Sequence, residues 1–218
     1  MRARRPFASS SPELFADQPV NTSVKAVQDL IRGVTATPTL RTPAQIVNAF
    51  AERFSHLAPT ATSFPGWATA PAAPYGRHLL YQCPATGVAA HLIVWEPGQG
   101  TPVHDHGDVE WGFLYCMAGE LTVTNYEVAR VERETSAAEL QASSRFKLQA
   151  GCYDALIASR PTVHSVCNES DTTAYCVNIY AEKIARYRVF RSGKFMVHEN
   201  VARVREGADA RRSPRELS

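Results

Sequence analysis

The sequence predicts an all-β fold, a single barrel or double-sheet sandwich, with N-terminal α-helices packed on it. Three observations carry that reading. Apolar residues recur at helical spacing only ahead of Pro74. From Tyr75 onward the chain becomes a series of short β-branched and aromatic runs separated by turn residues. Its 218 residues are enough for one sizeable core and few for two.

The elements follow in chain order. Residues 1–20 are rich in Ser, Pro and Arg and read as a loose segment. Val24, Val27, Leu30 and Ile31 fall on one helical face, and Thr42-Pro43 reads as an N-cap with proline at the first helical position. Ile46, Val47, Phe50 and Phe54 follow it as an apolar stripe. A Pro/Ala-rich connection from Ser63 to Pro74 ends the helical part. The strand candidates are Tyr75–Arg77, His91–Trp95, Phe113–Met117, Leu121–Val128 and Thr173–Tyr180. The chain thus divides into a loose segment (1–20), a helical region packed on the barrel (21–73), the barrel (74–190) and a basic C-terminal segment (191–218). From Lys183 the chain carries ten Lys/Arg against four Asp/Glu, which reads as a solvated surface.

Composition excludes several function classes. Hydrophobic residues make up 44% and charged residues 20%, ordinary for a globular protein. A net charge of +2, without aromatics interleaved in a basic stripe, argues against a nucleic-acid partner. No apolar run approaches the ~18 residues of a membrane span. Met1-Arg-Ala-Arg-Arg5 leads into no apolar stretch, so no signal peptide is expected. Five cysteines without framework spacing fit reduced thiols, and the cytoplasm is the expected compartment.

The chemistry-bearing motif is Gly98-Gln-Gly-Thr-Pro-Val-His104-Asp-His106. Two histidines at i and i+2 on a strand point to one face, where neutral imidazoles can bind a single transition metal. A third histidine comes later, in His164-Ser-Val-Cys-Asn168. Glycine, five residues, His-x-His and a distant His-x-x-x-Asn resembles the pattern of the cupin barrels, also called double-stranded β-helix or jelly-roll barrels. Three i,i+2 pairs then fall on three separate strands: Tyr75-x-Arg77, His104-x-His106 and Asn178-x-Tyr180. If these strands close on one interior, Arg77 lies inside it. An unpaired buried cation is costly, so Arg77 needs a protein carboxylate or that of a ligand.

Pro74-Tyr75-Gly76-Arg77-His78-Leu79-Leu80, followed by Val103-His104-Asp-His106-Gly107, resembles the bacterial members of the cysteine dioxygenase (thiol dioxygenase) family over roughly residues 70–185. The resemblance implies that His104, His106 and His164 bind non-heme Fe(II), which the substrate thiolate and amine then join. It implies that Arg77 holds the substrate carboxylate, with Tyr75 as its neighbour, and that O2 adds both oxygens at sulfur to give a sulfinate. The partners it implies are a small thiol such as cysteine, and O2. Ordinary cupins add a glutamate ligand seven residues before the glycine that ends the strand. Counting back from Gly119 reaches Gly112, as in the bacterial thiol dioxygenases, whereas the count His-x-His-x-x-x-Glu reaches Glu110. Only one of the two counts can hold.

The chain also departs from the family. Where the family has Ser-x-His-x-Tyr, this sequence has Cys176-Val-Asn178-Ile-Tyr180. Tyr180 and Asn178 take the positions of substrate-facing residues, Tyr180 as a catalytic one. Asparagine donates and accepts hydrogen bonds but does not titrate, and a thiol donates weakly. Trp111, beside the motif, either narrows the mouth or packs in the core. Cys116 reads as a packed small residue and Cys167 as structural, while Cys83 and Cys152 carry no motif. His56, His78, His91 and His198 read as structural or exposed. Two rival functions stand beside thiol oxidation. One is a ring-cleaving dioxygenase or isomerase using Glu110 as a fourth ligand; the other is a non-catalytic cupin that binds a small carboxylate through Arg77.

Overall fold

Both faces of one sheet are covered, which is why its strands read as unbroken apolar runs. The structure, a computed structural model, describes residues 24–57, 75–157, 163–182, 184, 186–199 and 205–206. The loose segment 1–20 and the connection 63–74 lie outside these residues. Two helices, α1 (Val24–Thr35) and α2 (Pro43–Ser55), precede twelve strands. These are β1 (Gly76–Gln82), β2 (Ala89–Trp95), β3 (Val103–His104), β4 (Trp111–Ala118), β5 (Glu120–Glu132), β6 (Ala137–Gln149), β7 (Tyr153–Ile157), β8 (Val163–Cys167), β9 (Ala174–Tyr180), β10 (Arg186–Arg191), β11 (Lys194–Glu199) and β12 (Arg205–Glu206).

Thr42 starts α2 as expected: its hydroxyl accepts from Gln45 N at 3.3 Å, and Gln45 Oε1 accepts from Thr42 N at 3.1 Å. This reciprocal pair satisfies amides that the first helical turn leaves orphaned. The first sheet runs β12-β1-β2-β9-β4-β7, and the other six strands close in the order β10-β11-β6-β5-β8-β3. Period-two alternation divides each central strand between two cores. Leu92, Trp111, Phe113, Tyr115 and Ile179 face the helices, where Phe50 and Phe54 pack among them. Ile93, Trp95, Leu114 and Cys176 face inward and meet Leu121, Val123, Leu148 and Val166 of the second sheet. The fold is therefore the all-β double-stranded β-helix with N-terminal helices, and the helices do pack on the barrel.

The boundary expected at residue 190 falls inside a hairpin. β11 pairs with β10 over its whole length and reaches β6 at Lys194↔Ala137, while Phe190 and Phe195 are buried together. The barrel thus runs to Glu199. The basic composition concealed this because the charged side chains, Arg186, Arg191 and Lys194 among them, face solvent while the alternate ones pack. No described helix is long and apolar enough to cross a membrane.

Candidate functional site

β3 puts His104 directly opposite His164 on β8. His106 lies beyond the end of β3, which is only two residues long, so strand geometry alone does not place it. The intervening Asp105 does. It is buried, and its carboxylate accepts from Gly107 N at 3.2 Å, Arg188 N at 2.7 Å and Arg188 Nε at 2.5 Å. Its own amide donates to Arg188 O at 3.0 Å. Gly107 sits at φ 61°, and a Cβ there would collide with the carbonyl oxygen of Arg186, so only glycine fits this turn. A charge-assisted pair that is buried on the acid side thus fastens the histidine loop to β10.

The three imidazoles converge. Ring centroids are 5.0 Å apart for His104–His106, 4.9 Å for His104–His164 and 4.8 Å for His106–His164, with one nitrogen from each within 4.8 Å of the others. Burial holds His104 below the usual imidazole range and His164 well below it, with His106 and His104 adding to the effect on His164. Both are therefore neutral near pH 7, the form that ligates a metal. His104 Nδ1 lies 3.0 Å from Pro102 O, which suits an Nδ1–H donor and leaves Nε2 free to ligate. His164 Nδ1 is buried without a hydrogen-bond partner among the described residues. Such an orphaned polar atom beside two other imidazoles fits a metal site.

Opposite the histidines, β1 and β9 supply the other wall. Tyr75, Arg77, Trp95, Asn178 and Tyr180 line the same cavity, of about 100 Å³, as His104, His106 and His164. All three i,i+2 pairs of the sequence thus face one interior. Arg77 Nη2 lies 3.5 Å from His91 Nδ1, and Arg77 Nε is buried with no hydrogen-bond partner. Among the described residues Arg77 forms no ion pair, and the one acid lining the cavity, Asp105, is held by Arg188. The Tyr75 ring packs, tilted by 31°, against Trp95 at 4.4 Å, and Tyr180 lies with its ring 5.5 Å from His106. Burial raises both phenols above their ordinary value, so they stay protonated.

The two glutamate counts are now distinguishable. Glu110 is exposed and outside the histidine group. Gly112 is paired with Tyr180, and a Cβ there would come within 3.0 Å of both Leu156 and the Tyr180 ring. The count that reaches Gly112 holds, and the readings that need Glu110 as a ligand lose it. Trp111 is buried against Phe50 at 5.8 Å, on the helix side, so it packs the core and does not shape the mouth.

Several participants were not foreseen. His91, read as structural or exposed, is buried and beside Arg77. Tyr187 of β10 lines the cavity at 6.3 Å from His104 and stacks on His198 at 5.6 Å. Arg188 comes from the stretch read as solvated surface. For Arg188 the available signal was Asp105 itself, an acid between two ligand-type histidines that needs a cation. Asn168 locks the turn after β8: Nδ2 donates to Trp95 O at 2.9 Å and Thr172 O at 2.8 Å.

The family model described as Cysteine dioxygenase type I matches residues 17–192. Among solved structures, the Thermus thermophilus protein TT1209 aligns at 20% identity over 55% of this chain and 95% of its own, with a TM-score of 0.39. An oxalate oxidase in complex with the substrate analogue glycolate aligns at 18% identity over 63% of this chain and 61% of its own, with a TM-score of 0.40. An uncharacterized Klebsiella pneumoniae protein with a double-stranded β-helix domain aligns at 15% identity, over 61% of this chain and 100% of its own (TM-score 0.42).

Proposed function

Because the chain belongs to the cysteine dioxygenase type I family, we propose that it is a mononuclear non-heme iron thiol dioxygenase. Its substrate would be cysteine or a related small thiol that bears a carboxylate, and its product the sulfinate. The observation that carries the reading is one small cavity in which three histidines face an arginine that has no carboxylate partner among the described residues.

His104, His106 and His164 would hold the metal through neutral imidazole nitrogens, leaving the remaining coordination positions to substrate. Iron(II), when bound, supplies the redox chemistry that activates O2. Gly112 keeps the space beside Tyr180 free of a fourth protein ligand. Arg77 grips the carboxylate and so fixes where the thiol sits, a positioning role worth more in a cavity walled by Ile93, Trp95 and Val166 than in water. Tyr180, protonated and facing the same space, is the hydrogen-bond donor on that side. The five free cysteines fit a reducing compartment such as the cytoplasm.

The test is an anaerobic titration of iron-loaded protein with cysteine, a longer carboxylate thiol and cysteamine, followed by O2. A carboxylate thiol should give its sulfinate with one O2 consumed per thiol. Binding without oxygen uptake would favour the second reading, a cupin that binds small carboxylates without oxidising them.

A further inference from the structure

One edge of β6 loses its neighbour just where an apolar groove opens beside it. β5 pairs with the other edge along the length of the strand. On the open side β11 reaches β6 at a single register pair, Lys194↔Ala137, and Ala138 N–H donates to Gly193 O at 2.9 Å. There the β10–β11 hairpin turns back at Ser192 and Gly193, which hold φ 52° and 72°. Among the described residues no strand takes its place against β6. Amide direction alternates along a strand, so the N–H and C=O groups of Leu140 and Ala142 point away from β5, as those of Ala138 do. An open edge is normally blunted by a bulge or by charge. From Ser143 onward β6 has both: Ser143 is left out of the pairing with β5, and Arg145 and Lys147 follow it. The stretch Leu140–Ala142 has neither.

The groove, of about 520 Å³, is lined by the apolar side chains Val103, Ala138, Leu140 and Phe190, with Arg191 and Lys194 at its hairpin end. Glu139 also lines it, and among the described residues none of these three charged groups forms an ion pair. We propose that the groove binds a short extended peptide segment of a partner protein, which adds a strand to β6 at Leu140–Ala142. Backbone hydrogen bonds to the open edge hold such a peptide, and alternation sorts its side chains. Those on the inner face meet Val103, Leu140 and Phe190 and are apolar. Those on the outer face meet solvent and the two exposed cations of the hairpin, so an acid is favoured at that end. The hairpin also decides against a second copy of this chain. β6 is 13 residues long, and paired antiparallel with itself about any residue from Leu140 to Ala142 it would run past Ala138, a position Gly193 already fills. A short segment stops before the hairpin.

The inference involves neither the metal nor the thiol, so its test uses the full chain and stands whatever becomes of the dioxygenase reading. The probe is the blocked peptide Ac-Glu-Val-Thr-Val-Thr-Val-Glu-NH2, which as a strand is apolar on one face and has an acid at the hairpin end whichever way it runs. A titration followed by backbone amide NMR should show one-to-one binding that shifts the Leu140 and Ala142 amides. Two N-methylated peptides, one modified at the three valines and one at the two threonines, test strand addition. Alternate amides face β6 and solvent, so one modification should abolish binding and the other should leave it within about threefold. Exchanging both glutamates for lysine should weaken binding by at least about fivefold, and protein carrying Arg191→Glu and Lys194→Glu together should prefer the lysine peptide. No binding at about 1 mM peptide, equal effects of the two N-methylations, or indifference to the charge exchange overturns the inference. So does a chain that is already dimeric with its Leu140 and Ala142 amides protected from hydrogen exchange, since a second copy would then cover the edge.

Discussion

Arg77 lines the cavity and Arg188 braces the loop beside it, and they differ in one respect: among the described residues Arg188 has an acid partner and Arg77 has none. Arg188 lies over the rings of Phe190 at 5.5 Å and Phe195 at 5.7 Å and closes on buried Asp105. Its charge is consumed inside the protein, where it pins the loop that carries two histidines. Arg77 stands among Tyr75, His91 and Tyr180 with its Nε unsatisfied. A fold that supplies a carboxylate to one arginine and withholds it from the other has separated an architectural charge from a charge available to a ligand. Asp154, on the inward side of β7 and paired with Leu114, is a third case. It is an acid with no ion pair among the described residues, and burial raises its pKa from 3.8 to about 6.

The largest expected effect comes from removing one of the three clustered histidines themselves. His164→Ala should abolish stoichiometric iron binding, because a three-imidazole group has no spare donor; metal analysis after iron loading checks it, and full occupancy would remove His164 from the site. Asp105→Asn keeps shape while cancelling the charge that Arg188 answers. It should weaken metal affinity by about 10–100-fold, as loss of an outer partner of metal ligands typically does. Competition with a chelator measures this, and an unchanged affinity would mean that the histidine loop holds itself.

Asp154 tests the third case, and the sign follows from the direction of its shift. With the folded pKa raised, the folded protein keeps a proton through pH 4–6 that the unfolded chain has lost. That contribution to stability is full below about pH 4 and disappears as pH rises through about 6, leaving a half-buried, poorly solvated carboxylate at neutral pH. Asp154→Asn should therefore stabilise the protein at pH 8 by on the order of 2 kcal/mol and change little at pH 4. Urea unfolding at the two pH values separates this from a pH-independent packing effect.

Much of this arrangement was legible in the sequence because it is local. The Thr42-Pro43 cap, the alternation along Ala174–Tyr180 and the i,i+2 pairs depend on neighbours a few residues away. The register that placed Gly112 opposite Tyr180 needed only a count back from Gly119. What stayed hidden is non-local or solvent-facing. Asp105 and Arg188 lie 83 residues apart, and nothing in a basic stretch marks which arginine turns inward. β6, rich in Ala, Ser and Gln with mostly exposed side chains, shows polar–apolar alternation only near its end, around Phe146 and Leu148, and forms because β5 pairs along its length. His106 was expected on a strand, but the strand stops at His104, and the ion pair of buried Asp105 with Arg188, together with a left-handed glycine, does the positioning instead.

The most direct measurement compares kcat/KM of wild type and Arg77→Ala for cysteine and for cysteamine. Removing one partner of a shielded arginine–carboxylate pair costs about 2–5 kcal/mol, so Arg77→Ala should lose at least about thirtyfold with cysteine. With cysteamine, which lacks the carboxylate, wild type should already be poor and the substitution should change little. If wild type oxidises cysteamine as well as cysteine, or if Arg77→Ala leaves cysteine turnover intact, Arg77 does not grip the substrate and the account of the cavity is wrong.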